Sequence, residues 1–271
     1  MAVVTSGTLA SWLAPDLERI IWAVGVGTAR TLPIAWLIPA FGGQNVPPQV
    51  RMGLGLALSV LCLPHVLLVL PGSASITFWI LLLAREAAVG LTVGFVGSLV
   101  FLAADGAGRL IDTLRGANMA EVLSPATEGR SSPLGDVLLL LTCVIFLEMG
   151  GVTMVAAALY RSYEAVPLTL ASTPASLGAA ARLVVITTAM LIESTLALAA
   201  PAVVAMLLAD LVLGAIARMA PQIPVYFVGM PLKALAGVGI VLVGLGSLQA
   251  ALRASFTGWT SLLDRAFTIW R

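Results

Sequence analysis

The residues of this chain with the clearest capacity for chemistry are acidic side chains set inside long apolar runs. Glu148, Glu193 and Asp210 each interrupt a segment that is otherwise almost wholly apolar. Ionisable groups at membrane depth are costly and commonly mark ion or proton paths. One hypothesis is therefore a secondary transporter or ion channel that uses these three carboxylates. The alternative for each residue is a structural ion pair or a contact with a neighbouring subunit, and the pattern leaves both open.

The residues available do not support enzymatic chemistry. The one histidine, His65, cannot form a His-rich zinc site, and neither His-Glu-x-x-His nor Cys-x-x-Cys occurs in the sequence. An intramembrane aspartyl protease needs two facing carboxylates, but Asp105 and Asp210 both lack a Gly-x-Gly-Asp context. Cys62 and Cys143 lie within apolar runs and are expected to be small core residues. We expect a protein that is not an enzyme and that binds no cofactor or metal.

Composition indicates a membrane protein. Apolar residues make up 60% of the 271 residues and charged residues only 10%, against about 45–50% and 25% in soluble domains. A soluble globule of this size cannot hide so much apolar surface, so the surplus must face lipid or partner subunits. The net charge of +1 argues against a nucleic-acid partner. The expected fold class is all-α, a polytopic membrane protein in a single domain.

Six apolar segments are long enough, or nearly so, to cross a bilayer, which takes about 20 residues. Several carry prolines or charges, and a charge at the bilayer centre costs about 2.5–3.5 kcal/mol. We therefore expect these charges to pair inside an assembly or to line a water path. The segments are predicted at residues 17–40, 52–70, 76–104, 134–160, 183–217 and 225–252.

The connectors between the segments are rich in proline and glycine. Residues 41–51 and 71–75 are predicted to form tight turns, and residues 167–181, which carry no charge, a short exposed loop. The basic residues of the tail at 253–271 place it in the cytoplasm by the positive-inside rule.

The connector between the last two segments, residues 218–233, is polar and broken by prolines. Pro221 and Pro224 each remove a backbone N–H, so the preceding helix is predicted to end near Ala220. We expect this turn to hold the last two helices in a packed orientation. Its candidate structural residues are Arg218, Pro221, Gln222, Pro224, Pro231 and Lys233.

The longest polar break, residues 105–133, is predicted to contain two short amphipathic pieces hinged at Gly116. Gly106 and Gly108 are further candidate hinges. One interpretation is a connector lying in the membrane interface; the other is a loop that closes the lumen of a ring. The candidate closure residues are Leu110, Ile111, Leu114, Gly116, Asn118, Met119, Val122 and Leu123.

Residues 218–233 resemble the Arg-x-x-Pro-Gln-x-x-x-Phe…Pro-x-Lys signature of the FliR/SctT family, the export-apparatus subunit of flagellar and virulence type III secretion systems. The resemblance covers nearly the whole chain. It includes Val46-Pro-Pro-Gln-Val-Arg51 in the first hairpin, Glu86 with Gly90 and Gly94 in the third segment, and Asp105-Gly-Ala-Gly108 before the polar break.

Three departures favour an injectisome SctT over a flagellar FliR. Flagellar members usually carry Asn-Gly-His where this chain has Gly150-Gly151-Val152, and Asn where it has Pro224. Met230 replaces the phenylalanine of the flagellar Phe-Pro-x-Lys.

The resemblance implies a multi-pass subunit of the bacterial inner membrane that passes unfolded polypeptides. Its implied partners are several copies of FliP/SctR-like and FliQ/SctS-like subunits, which form a closed helical pore, together with FlhB/SctU-like and FlhA/SctV-like subunits and membrane lipid. It also implies that the loop at 105–133 plugs the channel. Gly90 and Gly94 are expected to allow close helix packing. The candidates for assembly contacts or buried charges are Arg85, Glu86, Glu148, Glu193 and Asp210.

Overall fold

The computed structural model describes residues 6–42, 46–69, 75–117, 132–168, 174–222 and 224–268. This part of the chain is helical and contains no strand, so the predicted all-α class is confirmed. The helices are α1 (Ser6–Leu37), α2 (Pro39–Gly42), α3 (Pro48–Val69), α4 (Ile76–Leu114), α5 (Pro133–Glu148), α6 (Gly151–Ala165), α7 (Pro174–Met219), α8 (Val225–Val243) and α9 (Leu245–Thr268).

Several of these helices can cross a membrane. Four stretches are long and apolar enough alone: Arg19–Leu37, Pro48–Val69, Ile76–Leu114 and Ala181–Met219. The pairs α5 with α6 and α8 with α9 pass only when each is taken together as one bent span, which gives up to six spans by length and composition. The chain is therefore a polytopic membrane protein, as predicted.

Several boundaries differ from those predicted, and the segment predicted at residues 134–160 is divided into α5 and α6. Helix α4 continues to Leu114, so residues 105–114 are the end of a long helix and not a separate amphipathic piece. Helix α7 begins at Pro174, because proline is well suited to a first helical turn; much of the predicted exposed loop at 167–181 is thus helical. The last segment is divided at Gly244, and residues 253–268 belong to α9 and not to an extended tail.

The prolines inside apolar segments do not end the helices. Pro64, Pro201 and Pro231 lie within α3, α7 and α8. Pro221 and Pro224 behave differently, because α7 ends at Met219, shortly before Pro221. This end lies one residue from the predicted end at Ala220.

The helices form two compact units. The first comprises the described residues of Met1–Ser98, Gly151–Val184 and Trp259–Arg271. In it Trp22 stacks on Trp79 with ring centroids 4.5 Å apart, and the indole N–H of Trp259 donates to the Val96 carbonyl at 3.2 Å. These contacts join α1, α4 and α9 within this unit.

The second unit comprises the described residues of Leu99–Gly150 and Val185–Gly258. Its core contains three phenylalanines, Phe101, Phe146 and Phe256, with centroids 5.2–5.5 Å apart. Much of α7 in this unit faces outward, with Leu207, Leu211 and other large apolar side chains exposed. Such a surface needs lipid or protein to cover it.

Candidate functional site

A single buried carboxylate holds the base of the predicted closure loop. Asp112 Oδ2 accepts hydrogen bonds from Ser132 Oγ at 2.6 Å and from the Leu134 amide at 3.0 Å. Its Oδ1 accepts from Arg115 Nε at 2.6 Å. Ser132 is the N-cap of α5 and accepts from the Gly135 amide, where a negative charge is favourable. The residues on either side of positions 118–131 are thus fixed to one carboxylate.

Helix α4 ends beside this carboxylate in a glycine turn. Gly116 has φ +81°, a left-handed conformation that glycine adopts without steric cost. The Ala117 amide donates back to the Asp112 carbonyl at 3.0 Å, as in a Schellman helix end. Gly116 therefore turns the chain out of α4 towards the loop.

The other two candidate hinge glycines have a packing role. Gly106 and Gly108 lie inside α4. A Cβ on Gly108 would collide with the backbone of Leu134 and Gly135, and one on Gly106 would press on Thr195. Their small size lets α4 approach α5 and α7, so a hinge at these two positions is not what the structure shows.

The candidate closure residues divide into three groups. Ile111 is buried within the second unit, so its apolar surface is already covered and it is a core residue. Leu110 is partly exposed on α4, and Leu114 lines a cavity. The candidates Asn118, Met119, Val122 and Leu123 lie outside the described residues.

The signature turn and the loop base line the same cavities. A cavity of about 440 Å³ is lined by Arg115 and Gly116 together with Met230 and Lys233. A smaller cavity of about 250 Å³ is lined by Arg115, Gly116 and Met230, and also by Pro231. Lys233 Nζ lies 2.5 Å from Asp210 Oδ1 and so joins α8 to α7. Two regions that the sequence presents separately are brought together here.

The remaining signature residues lie on the outside of the turn. Arg218 is exposed in the last turn of α7, and Pro221 and Gln222 are exposed in the turn itself. Pro224 occupies the N-cap position of α8 and has no side-chain cap hydrogen bond. These four side chains are available to a neighbouring molecule.

The predicted buried charge Glu86 forms a network in the first unit. Arg30 and Glu86 are both fully buried, with Arg30 Nε donating to Glu86 Oε2 at 2.6 Å. Arg30 also donates to Ser162 Oγ at 3.1 Å and to the Val166 carbonyl at 3.0 Å. Its guanidinium lies 4.0 Å from the centre of the Tyr163 ring, a cation–π contact. The network ties α1, α4 and α6 together.

The neighbouring Arg85 anchors the end of α6. Its guanidinium donates to the Pro167 carbonyl at 2.8 Å and to the Leu168 carbonyl at 3.4 Å. It also lies 3.9 Å from Glu86 Oε1. The neighbouring residues Arg85 and Glu86 of α4 thus bind two different parts of the first unit: Arg85 the chain after α6, and Glu86 helix α1.

The three carboxylates of the transporter hypothesis have different surroundings in the second unit. Glu148 pairs with Arg253 at 2.8 Å, and Asp210 pairs with Lys233. Glu193 is exposed on α7. The two paired acids therefore have separate basic partners and do not share an ion site with each other. No group of three or more His, Cys, Asp or Glu side chains suited to a metal occurs among the described residues.

Gly90 and Gly94 lie against α1 in the first unit. A Cβ on Gly90 would overlap the Arg30 carbonyl, and one on Gly94 would lie 3.0 Å from the Pro33 carbonyl oxygen. Only glycine permits this approach of the two backbones. The approach also places Arg30 beside Glu86, one helical turn before Gly90.

Gly150 explains one departure from the flagellar pattern. It follows α5 with φ +76°, and its amide donates to the Leu147 carbonyl at 3.0 Å. Asparagine is the residue that most readily replaces glycine in this conformation. The backbone of this chain at Gly150 is therefore one that an Asn could also adopt.

Sequence reasoning missed part of these networks. Asp112, Ser132, Ser162 and Tyr163 were not among the candidate site residues. Spacing gives no signal for contacts between residues so distant in the chain. A signal did exist for Arg30, which lies in the middle of an apolar segment and so requires a buried partner.

Comparison with known proteins gives the chain a family. Residues 21–258 match the family described as bacterial export proteins, family 1. The chain is 30% identical to the secretion system apparatus protein SsaT of Salmonella typhimurium, over 82% of this chain and 86% of SsaT. It is 27% identical to the surface presentation of antigens protein SpaR of the same organism, over 91% and 93% of the two chains.

A flagellar protein matches equally well. The flagellar biosynthetic protein FliR of Bacillus subtilis is 28% identical over 81% of this chain and 85% of its own. SsaT is named for a secretion system and FliR for flagellar biosynthesis, in agreement with the expectation that this chain is not an enzyme. The match spans most of the chain, and the chain belongs to the bacterial export proteins of family 1, the FliR/SctT family.

Proposed function

We propose that this chain is an integral inner-membrane subunit of a type III protein export apparatus. It assembles with FliP/SctR-like and FliQ/SctS-like subunits into a closed pore for unfolded polypeptides, next to FlhB/SctU-like and FlhA/SctV-like subunits. Family membership over residues 21–258 supports the export role. The departures at Pro224 and Met230 favour an injectisome over a flagellar system.

The observation that carries the pore role is the fixed base of the loop. Both flanks of residues 118–131 are bound by the buried Asp112. A resting export pore must exclude ions yet admit a polypeptide, which requires a seal that can move while its attachment stays in place. Apolar side chains such as Met119, Val122 and Leu123 would let the constriction dewet, and Met119 can adapt to irregular gaps.

The surface of the second unit supports assembly over independent action. Large apolar side chains remain exposed along α7 and α8, and the acids Glu148 and Asp210 have basic partners within the chain. A transporter acting alone would need such acids free to bind its ion. The paired acids therefore support a role in holding helices together.

The proposal is tested by purifying a tagged chain from native membranes in mild detergent. We expect the tagged chain to fractionate with the inner membrane and to co-purify with a FliP/SctR-like and a FliQ/SctS-like subunit, each in molar excess over it. A chain carrying the same tag but produced without those two subunits controls for non-specific binding. Recovery of the native chain alone, or only with copies of itself, would contradict the proposal.

A further inference from the structure

Of the four acids predicted as assembly contacts or buried charges, three have a basic partner on another helix and one does not. Glu86 pairs with Arg30, Glu148 with Arg253 and Asp210 with Lys233, in each case between two helices. Glu193 forms neither an ion pair nor a hydrogen bond with any residue that the structure describes. Its carboxylate is exposed.

Glu193 lies deep within an apolar stretch of α7. It is the only charged residue between Arg182 and Asp210. At about 1.5 Å per residue, it is roughly 16 Å from Arg182 and 25 Å from Asp210. Neither end of that stretch brings water close, and a glutamate side chain is too short to reach across such distances. An ionised carboxylate there needs a partner.

The face of α7 that carries Glu193 is exposed, and Ala197 at its edge also lines a cavity of about 700 Å³ within the same unit. Thr187, Ala199 and Ala202 are buried on the opposite face. The neighbours of Glu193 on that face include three exposed alanines, Ala189, Ala197 and Ala200, and the larger exposed side chains of Ile186 and Leu196. The alanines, four and seven residues away, leave a shallow notch beside the carboxylate, which allows another helix to approach closely.

We infer that this notch of α7, formed by Ala189, Glu193, Ala197 and Ala200, is the docking site for an apolar membrane helix of a different export subunit that carries a lysine or arginine opposite Glu193. The inference rests on the proposed function and adds to it the contact surface and the chemistry of the partner. Charge complementarity identifies the partner residue, because Glu86, Glu148 and Asp210 each receive a cation from another helix of this chain. The alanines set the close approach that brings that cation within reach.

The first test removes the charge but keeps the shape. Glu193→Gln should lower the yield of partner subunits co-purified with the tagged chain roughly tenfold or more, because it leaves a desolvated cation of the partner unpaired. The matched control is Glu164→Gln, an exposed glutamate on α6, which should leave the yield unchanged. Both variants must reach the membrane at wild-type levels. If Glu193→Gln does not, a second measurement on an otherwise wild-type chain tests the inference.

That second measurement places a photo-reactive amino acid at Ala197 in the otherwise wild-type chain. We expect it to cross-link to an apolar helix of another subunit, and the basic residue near the cross-link is then changed to Glu. Combined with Glu193→Lys, that reversal should restore the complex that either change alone disrupts.

The outcomes separate this inference from the proposed function. If wild type yields the complex but Glu193→Gln yields as much, or if position 197 cross-links only to lipid or to a second copy of this chain, the docking inference is wrong and the proposed function stands. If wild type yields no partner subunits at all, the proposed function fails and this inference fails with it.

Discussion

At the scale of single residues, the buried ion pair of Arg30 and Glu86 constrains the packing of the helices most strongly. Two charges with no exposed surface lose their hydration, and the pair offsets this loss only through close geometry and further hydrogen bonds. Ser162, the Val166 carbonyl and the Tyr163 ring supply those contacts to Arg30. The network therefore specifies how α1, α4 and α6 pack.

Arg30→Met should destabilise the protein by about 3–5 kcal/mol, because it leaves the Glu86 carboxylate buried without a cation. The double variant Arg30→Met with Glu86→Gln should recover part of that loss, since no charge remains unpaired. Thermal unfolding of the detergent-solubilised protein measures both effects. Arg182→Ala, at an exposed position, is the control and should change stability by no more than about 0.5 kcal/mol. If Arg30→Met is as stable as Arg182→Ala, the Arg30–Glu86 pair does not hold the helices together.

At the scale of the helices, sequence patterns predicted the segments well and their ends less well. Apolar runs and prolines placed α3 and the end of α7 within a few residues. The continuation of α4 to Leu114 was missed because Asp105, Arg109 and Asp112 look like a loop in sequence. In the structure Asp105 pairs with Arg109 one turn later at 2.8 Å, and Asp112 is satisfied by residues twenty or more positions away.

The parts of the candidate site that depend on residues close together in the sequence could be predicted. The prolines of the signature turn and the glycine at the end of α4 follow from backbone chemistry. The shared cavity between Gly116 and Met230 does not, because it depends on how α4 and α8 pack. For the same reason Ile111 was predicted to face a lumen, although it is buried against its own unit.

The α7–α8 turn carries a prediction at this scale. Replacing Pro221 and Gln222 together with Ala should reduce recovery of the intact export complex several-fold. Pro221, which fixes its own φ, then no longer sets the angle at which α8 leaves the turn, and with it the position of Lys233 opposite Asp210. The exposed Gln222 side chain is also lost to a neighbouring subunit. The measurement is the ratio of partner subunits to tagged chain after affinity purification. Gly246→Ala is a suitable control, because an added Cβ there meets nothing within 4 Å. Wild-type assembly and secretion in the double variant would mean that the turn fixes nothing.

At the scale of the whole molecule, a chain of family 1 with exposed apolar helices and a loop anchored at a buried carboxylate is suited to being one wall of a closed pore. The anchor changes how the loop should be tested. Deleting residues 110–123 would remove Asp112 and its hydrogen bonds to Ser132 and Leu134 at the start of α5, so a defect would report lost packing as well as a lost seal. Residues 118–130 can be replaced while Asp112, Arg115 and Ser132 remain.

The most direct measurement is therefore ion conductance across membranes containing the complete export apparatus, with residues 118–130 either native or replaced by a Gly/Ser sequence of equal length. We predict that the complex with the replaced loop assembles as well as the native one but leaks more ions and small dyes, because the apolar seal is gone while its base is intact. A replaced complex that assembles normally and leaks no more than the native one would contradict the role of this loop in closing the pore.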